Sequence, residues 1–194
     1  MNTDQGTAFG TWADSTSRLL YDAVMPVMLN DVDTSGSVVD LGGGNGLLRR
    51  YVPHAVTVDT DASKEPDIVA DALNYTGTHD LVVMRYVLHY LPDAQVRHLF
   101  AHLASYHTGR VLVVQFVNDD LNAKMANSIN EVKTFRTEAH LRSLIAPWLV
   151  IDRKRVEYTV SAEFYRNRLG HPNPSSHDEA VVGLLLTQTG SVVA

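Results

Sequence analysis

The sharpest chemical feature of the chain is Asp40-Leu41-Gly42-Gly43-Gly44-Asn45-Gly46. Glycines let a backbone turn tightly and let a ligand approach it closely. The loop ends a short apolar strand and opens a brief helix, whose first N–H groups lack intrahelical partners. Such a loop can receive a phosphate, but neither common phosphate-binding pattern fits it. In the dinucleotide fingerprint G-x-G-x-x-G/A, a start at Gly42 puts the third small residue at position 47. Leu47 stands there, and the fingerprint fails. A P-loop needs a Lys-Ser/Thr pair after its glycines, and none follows.

The spacing of Asp40, Gly42, Gly44 and Gly46 instead resembles D-x-G-x-G-x-G, motif I of the class I S-adenosylmethionine (SAM)-dependent methyltransferases. The resemblance implies that Asp40 holds the ammonium of SAM and that the glycines pass under its methionine and ribose. SAM has no phosphate, and an acid ahead of the loop suits a cationic ligand. Three further landmarks occur in order. Asp59 closes a second strand, where an acid can accept the hydrogens of both ribose hydroxyls. Ala70-Asp71-Ala72-Leu73 resembles the family's "GDA" segment, which implies that Asp71 meets the adenine amino group beside Ala72. His79 to Asp93, which includes Met84, Arg85, Tyr86 and His89, resembles the fourth-strand signature. The resemblance is close over 36–118 and only outlined in the tail, where Val181 to Thr187 looks like the antiparallel last strand. It implies a Rossmann-like α/β fold, with a mostly parallel seven-stranded sheet, helices on both faces and that antiparallel last strand.

Methyl transfer is an in-line displacement with a good leaving group, so alignment and exclusion of water matter most. A base is needed when the acceptor is a neutral hydroxyl. Leu88-His89-Tyr90-Leu91-Pro92-Asp93 resembles the "HDWSD" segment of plant and polyketide O-methyltransferases, which implies His89 as that base. Tyr90-Leu91 depart from the pattern, and the dimerisation domain of those enzymes is absent. Cysteine-dependent classes are excluded, because the chain has no cysteine. The Asn/Asp-Pro-Pro-Tyr motif of adenine-type enzymes is replaced by Met84-Arg85-Tyr86-Val87. The acids that catechol-type enzymes use for Mg²⁺ are missing, so no metal is expected. The expected activity is O-methylation of a small molecule, as in specialised metabolism, with Arg85, Tyr86 and His89 at the acceptor. Methylation of an amine by proximity and SAM binding without transfer are the alternatives. Trp12, Tyr21, Gln115, Asn118, Arg136, Tyr165 and Arg168 are further candidates for substrate contact, and Tyr165 to Pro172 is a candidate lid.

The elements that must position these residues follow from hydrophobic periodicity. A leader helix is expected with Asp14 or Ser15 as cap and Leu19, Leu20, Ala23, Val24, Val27 and Met28 as its stripe, ended or kinked by Pro26. Strands are expected at Ser37–Leu41, Ala55–Asp59, Asp67–Ala70, Asp80–Met84, Arg110–Val117, Trp148–Tyr158 and Val181–Thr187. Helices are expected at Leu47–Val52, Pro92–Tyr106, Leu121–Val132 and Thr137–Ile145, and a long loop at Ser161–Glu179. Strands that are apolar throughout belong in a sheet covered on both faces. Only Thr60 to Glu65 separate the second strand from Pro66, whereas a parallel crossover takes about a dozen residues. The helix there must be vestigial, or the third strand starts late.

The chain has 194 residues, 45% of them apolar, enough for one domain. That domain reads as a cap at 1–35, a cofactor-binding core at 36–118 and a substrate side at 119–194. A net charge of −6 without a basic run argues against nucleic acid as partner. The polar first residues show no signal peptide, and no apolar stretch approaches the ~20 residues that span a bilayer. A cytoplasmic monomer or homodimer acting on a small molecule, away from membranes, is the expectation.

Overall fold

The computed structural model describes residues 16–107, 109–117, 134, 136–146, 148–160 and 177–189. The chain divides into two compact units, residues 1–33 and 34–194. In the first, helix α1 spans Thr16–Leu29. Val24, Met25 and Met28 are buried, while Ala23 and Val27 of the expected stripe are exposed. It runs on through Pro26, whose missing N–H removes one ladder bond near the helix end. Asp14 and Ser15 lie outside the described residues.

The second unit is built on a seven-stranded sheet in the order β3-β2-β1-β4-β5-β7-β6. The strands are β1 (Val38–Leu41), β2 (Val56–Asp59), β3 (Ile68–Val69), β4 (Leu81–Arg85), β5 (Arg110–Val117), β6 (Trp148–Val160) and β7 (His177–Gln188). β1 to β5 pair in parallel, and β7 is antiparallel to both β5 and β6. This is the Rossmann-like sheet that the methyltransferase resemblance implies. Successive strand residues face opposite sides of a sheet. Val39, Leu41, Val82, Met84, Val111, Val113, Leu184 and Leu186 therefore share one side, in the main core cluster. Helices α2 (Asp93–Tyr106) and α3 (Glu138–Leu144) contribute Val96, Leu99, Phe100, Leu103, Leu141 and Leu144 to it. Val38, Leu81, Val83, Leu112 and Val114, on the alternate positions, are buried too.

Three features depart from the periodicity reading. After the glycine loop there is no α-helix, only a 3₁₀ turn over Leu47–Arg50. Pro53 follows closely and cannot sit inside a helix. β3 keeps only two exposed residues of the expected Asp67–Ala70, while the crossover before it is the vestigial helix expected, a second 3₁₀ turn over Ala62–Lys64 capped by the Asp61 carboxylate. β7 begins at His177, ahead of its apolar run, because the ladder with β6 continues through Tyr158 opposite Glu179 and Val160 opposite His177. The expected helix at Leu121–Val132 and most of the loop after Val160 lie outside the described residues. No helix among the described residues is long and apolar enough to cross a membrane.

Candidate functional site

β1, β2, β4 and β5 all end at one edge of the sheet, and the candidate residues gather there. The loop after β1 is tied down at its start: Gly42 and Gly43 both donate to the Val58 carbonyl, at 2.8 and 3.1 Å. Gly42, Gly44 and Gly46 have φ of 71°, 56° and 72°, the left-handed region that glycine enters freely. The spacing singles out these three. Gly43 is restricted for another reason: a Cβ there would meet Asp40 Oδ2 at 2.6 Å and Thr57 Cγ2 at 2.8 Å. At Gly44 the same direction is open, with only Lys64 Cδ nearby at 3.7 Å.

Asp40 is fully buried. The Arg85 guanidinium grips its carboxylate, with Nη2 2.5 Å from Oδ2 and Nε 3.2 Å from each oxygen. The same Nη2 reaches the Gly43 carbonyl at 3.4 Å. Arg85 is itself buried. The structure thus joins two residues that the sequence places in separate roles, and it puts Arg85 under the glycine loop. Asp59 is half-buried and points the same way. Its Oδ2 accepts from Gly44 N–H at 2.8 Å and its Oδ1 from Asp61 N–H at 2.9 Å. Each carboxylate oxygen has two lone pairs, so capacity for a diol remains. Asp71 is exposed, and its Oδ1 accepts from Leu73 N–H at 2.9 Å, closing an Asx turn. Ala72 is half-buried, and Met84 lies inside the apolar core.

Past β4 the chain turns sharply. Tyr86 takes φ 54°, a strained conformation for a bulky residue. Its ring stacks on Phe116 at 4.3 Å. Its hydroxyl is buried without a hydrogen-bond partner among the described residues, and burial pushes its pKa well up. Val87 leans on the glycine loop: a Cβ on Gly42 would meet its Cγ2 at 2.5 Å. A 3₁₀ turn, Leu88–Tyr90, then carries the buried His89. Gln115 of β5 accepts from Leu88 N–H at 3.2 Å, and its Nε2 stands 3.0 Å from His89 Nδ1.

Arg136 holds this turn from the far side. It donates to the Leu88 carbonyl at 2.7 Å, the Leu91 carbonyl at 2.6 Å and Asp93 Oδ1 at 2.9 Å. Burial raises the pKa of Asp93, but Arg136, with help from His140, outweighs it and holds the group below its ordinary range. A guanidinium engaged in this way supports the turn and does not reach for a substrate. Trp12, Asn118, Tyr165, Arg168 and the candidate lid lie outside the described residues, as does the side chain of Tyr21. The spacing gave no signal for Thr57, Gly43, Val87 or Phe116, because their roles arise from neighbours across the sheet.

The edge fits SAM on three counts. A cationic ligand finds the half-buried Asp59 carboxylate at the end of β2. The open face at Gly44 admits close approach. Thr57 Oγ1, beneath the loop, is buried without a partner among the described residues.

Comparison with known proteins agrees with this geometry. The model of a methyltransferase-domain family matches residues 6–171. No curated protein matches the chain. Among solved structures, the BH2331 protein of Bacillus halodurans C-125 superposes with a TM-score of 0.68 at 11% identity, over 85% of this chain and 98% of that one. DhpI, in a complex with SAM and HEP, does so with 0.61 at 15% identity, over 92% of each chain. Mitomycin 7-O-methyltransferase MmcR gives 0.59 at 16% identity, over 92% of this chain and 59% of that one. At such identities the likeness is one of fold. With most of the chain matched by the family model and motif I at the edge of the expected sheet, the chain belongs to the methyltransferase-domain family, as a class I SAM-dependent methyltransferase.

Proposed function

We propose that the enzyme transfers the methyl group of SAM to an oxygen of a small molecule received at the ends of β4 and β5. The observation that carries this reading is the joining of two parts. The turn bearing Tyr86 and His89 is locked onto the glycine loop, through Val87 on Gly42 and Arg85 on Asp40. A cofactor on the loop and an acceptor at the turn would then be neighbours. The fold shared with mitomycin 7-O-methyltransferase supports the choice of oxygen and of a small acceptor.

SAM, when bound, supplies a methyl group on a sulfonium with a neutral thioether as leaving group. Asp40, Gly42, Gly44 and Gly46 form its seat, with Asp59 on the ribose hydroxyls and Asp71 on the adenine amino group, flanked by Ala72 and Met84. Its amino-acid end carries both charges, and the Asp40–Arg85 pair offers a partner to each. Tyr86, Phe116 and the His89 ring form an apolar wall that excludes water and fixes the acceptor's approach, the main requirements of this displacement.

The test uses SAM carrying tritium in its methyl group, incubated with the enzyme and a filtered metabolite extract, or with protein and nucleic acid. Label is expected in a small, extractable product as an ether or ester. Label confined to precipitable polymer, or calorimetry that shows no binding of SAM or S-adenosylhomocysteine, overturns the reading.

A further inference from the structure

Gln115 determines which nitrogen of His89 carries the proton. Its side-chain amide is buried between the Leu88 backbone and the imidazole. Leu88 N–H can only donate, so the amide oxygen must face it, at 3.2 Å. The amide nitrogen, which also only donates, is thereby turned to His89 Nδ1, at 3.0 Å. Nδ1 must then be an unprotonated acceptor, and the neutral ring holds its proton on Nε2. The flipped amide would set its NH₂ against Leu88 N–H, donor to donor. The ring has little freedom to escape this arrangement. Thr134 N–H holds the His89 carbonyl at 2.7 Å, and the ring packs on Tyr90, with centroids 4.1 Å apart.

A histidine base needs the opposite tautomer, in which an acceptor takes Nδ1–H and leaves Nε2 free to receive a proton. We infer that Gln115 is a positioning residue that makes His89 a hydrogen-bond donor, and that the acceptor is an oxygen acid already ionised at working pH, such as a carboxylate or an acidic enol or phenol. This rests on the reading that the acceptor lies against His89. Nε2–H gives an anionic oxygen a charge-assisted bond and holds it in line. The acceptor's lone pair forms the new O–C bond, and the methyl–sulfur bond breaks with its electron pair left on sulfur. An anion and a sulfonium become two neutral products, and no proton is transferred.

Long-range ¹H–¹⁵N spectra of histidine-labelled enzyme near neutral pH read the tautomer, with His89 assigned by its loss in H89A. A proton on Nε2 is expected, and a proton on Nδ1 overturns the inference. Gln115→Glu offers Nδ1 a carboxylate and should move the proton to Nδ1. If His89 is a donor, transfer then falls by ~10-fold or more, mostly through a higher KM for the acceptor. Unchanged or faster transfer overturns the donor role, since a base would gain from that carboxylate. Labelled products should be esters or ethers of ionised acids, and ready methylation of neutral aliphatic alcohols overturns the substrate class. An enzyme that transfers nothing leaves the tautomer measurement standing and counts against methyl transfer instead.

Discussion

A carboxylate enclosed as fully as Asp40 costs several kcal/mol unless a counter-charge is fixed beside it. Arg85 is that counter-charge. Arg85→Met should therefore destabilise the fold by about 3–5 kcal/mol, read as a lower urea midpoint. Adding Asp40→Asn to it should restore part of the loss, and simple additivity in that double-mutant cycle would refute the pairing. The glycines give a sharper contrast. Gly44→Ala meets open space and suffers only its left-handed backbone, about 1–2 kcal/mol. Gly43→Ala drives a methyl into Asp40 and Thr57 and should cost more stability, although position 43 is a free x in the motif. Equal or reversed losses in urea melts would contradict this. The motif residues were legible because they are local. The Asp40–Arg85 pair spans 45 positions. It follows from the parallel register that sets Val38 beside Leu81, which no single-sequence spacing reveals.

Among the elements, the β4–α2 turn depends on a residue that follows β5 in the chain. Arg136 satisfies two carbonyls of the turn and the carboxylate of Asp93, the first residue of α2. Arg136→Met should cost about 2–3 kcal/mol of stability, chiefly because the Leu88 and Leu91 carbonyls lose their donor. It should also lower kcat while leaving SAM affinity within ~3-fold, because the glycine loop hangs on β1 and β2. Loss of SAM binding in calorimetry, with the fold intact, would show that the two halves of the site are not separable. Continuous apolar runs made β1, β4 and β5 readable, and a clean stripe of Val96, Leu99, Phe100 and Leu103 made α2 readable. Periodicity misjudged elements held by something other than apolar burial. β7 extends through polar residues along its backbone ladder with β6, and the turn at Leu47–Arg50 has too little room before Pro53 to become a helix. Gln115 shows the same limit at the site. Its residue type and strand were visible, but the direction of its amide was not.

Over the whole second unit, the sheet end opposite the glycine loop carries a group of histidines and tyrosines. His107 is fully buried, its Nε2 bonded to the Arg110 carbonyl at 3.1 Å and its Nδ1 without a partner among the described residues. His79 is bonded to the Tyr75 hydroxyl at 2.8 Å. Burial lowers both pKa values below the ordinary 6.5, and the charge of His107 lowers His79 further, while Asp80 opposes the shift at both. Below 6.5 the unfolded chain thus binds more protons than the folded one, so their contribution is full above that pH and is lost as the pH falls. Stability should drop between about pH 7 and about pH 5 and be flatter in His107→Leu. Urea midpoints that stay level or rise over that interval would refute it. Asp67, Asp93 and Glu138, held below ordinary values of 3.8, 3.8 and 4.5, act only at lower pH and do not blur this window.

The short turn after the glycine loop also sets the electric field of the site. A full helix there would sum its peptide dipoles into about half a positive charge aimed at the ligand, which draws in phosphates. Four residues of 3₁₀ turn align too few peptides for that. The potential at the loop is then governed by fixed side-chain charges, with the Asp59 carboxylate bound to Gly44 N–H. The fold has in effect removed the attraction by which a strand–loop–helix unit selects nucleotides. A ligand whose own charge is positive meets no opposing dipole.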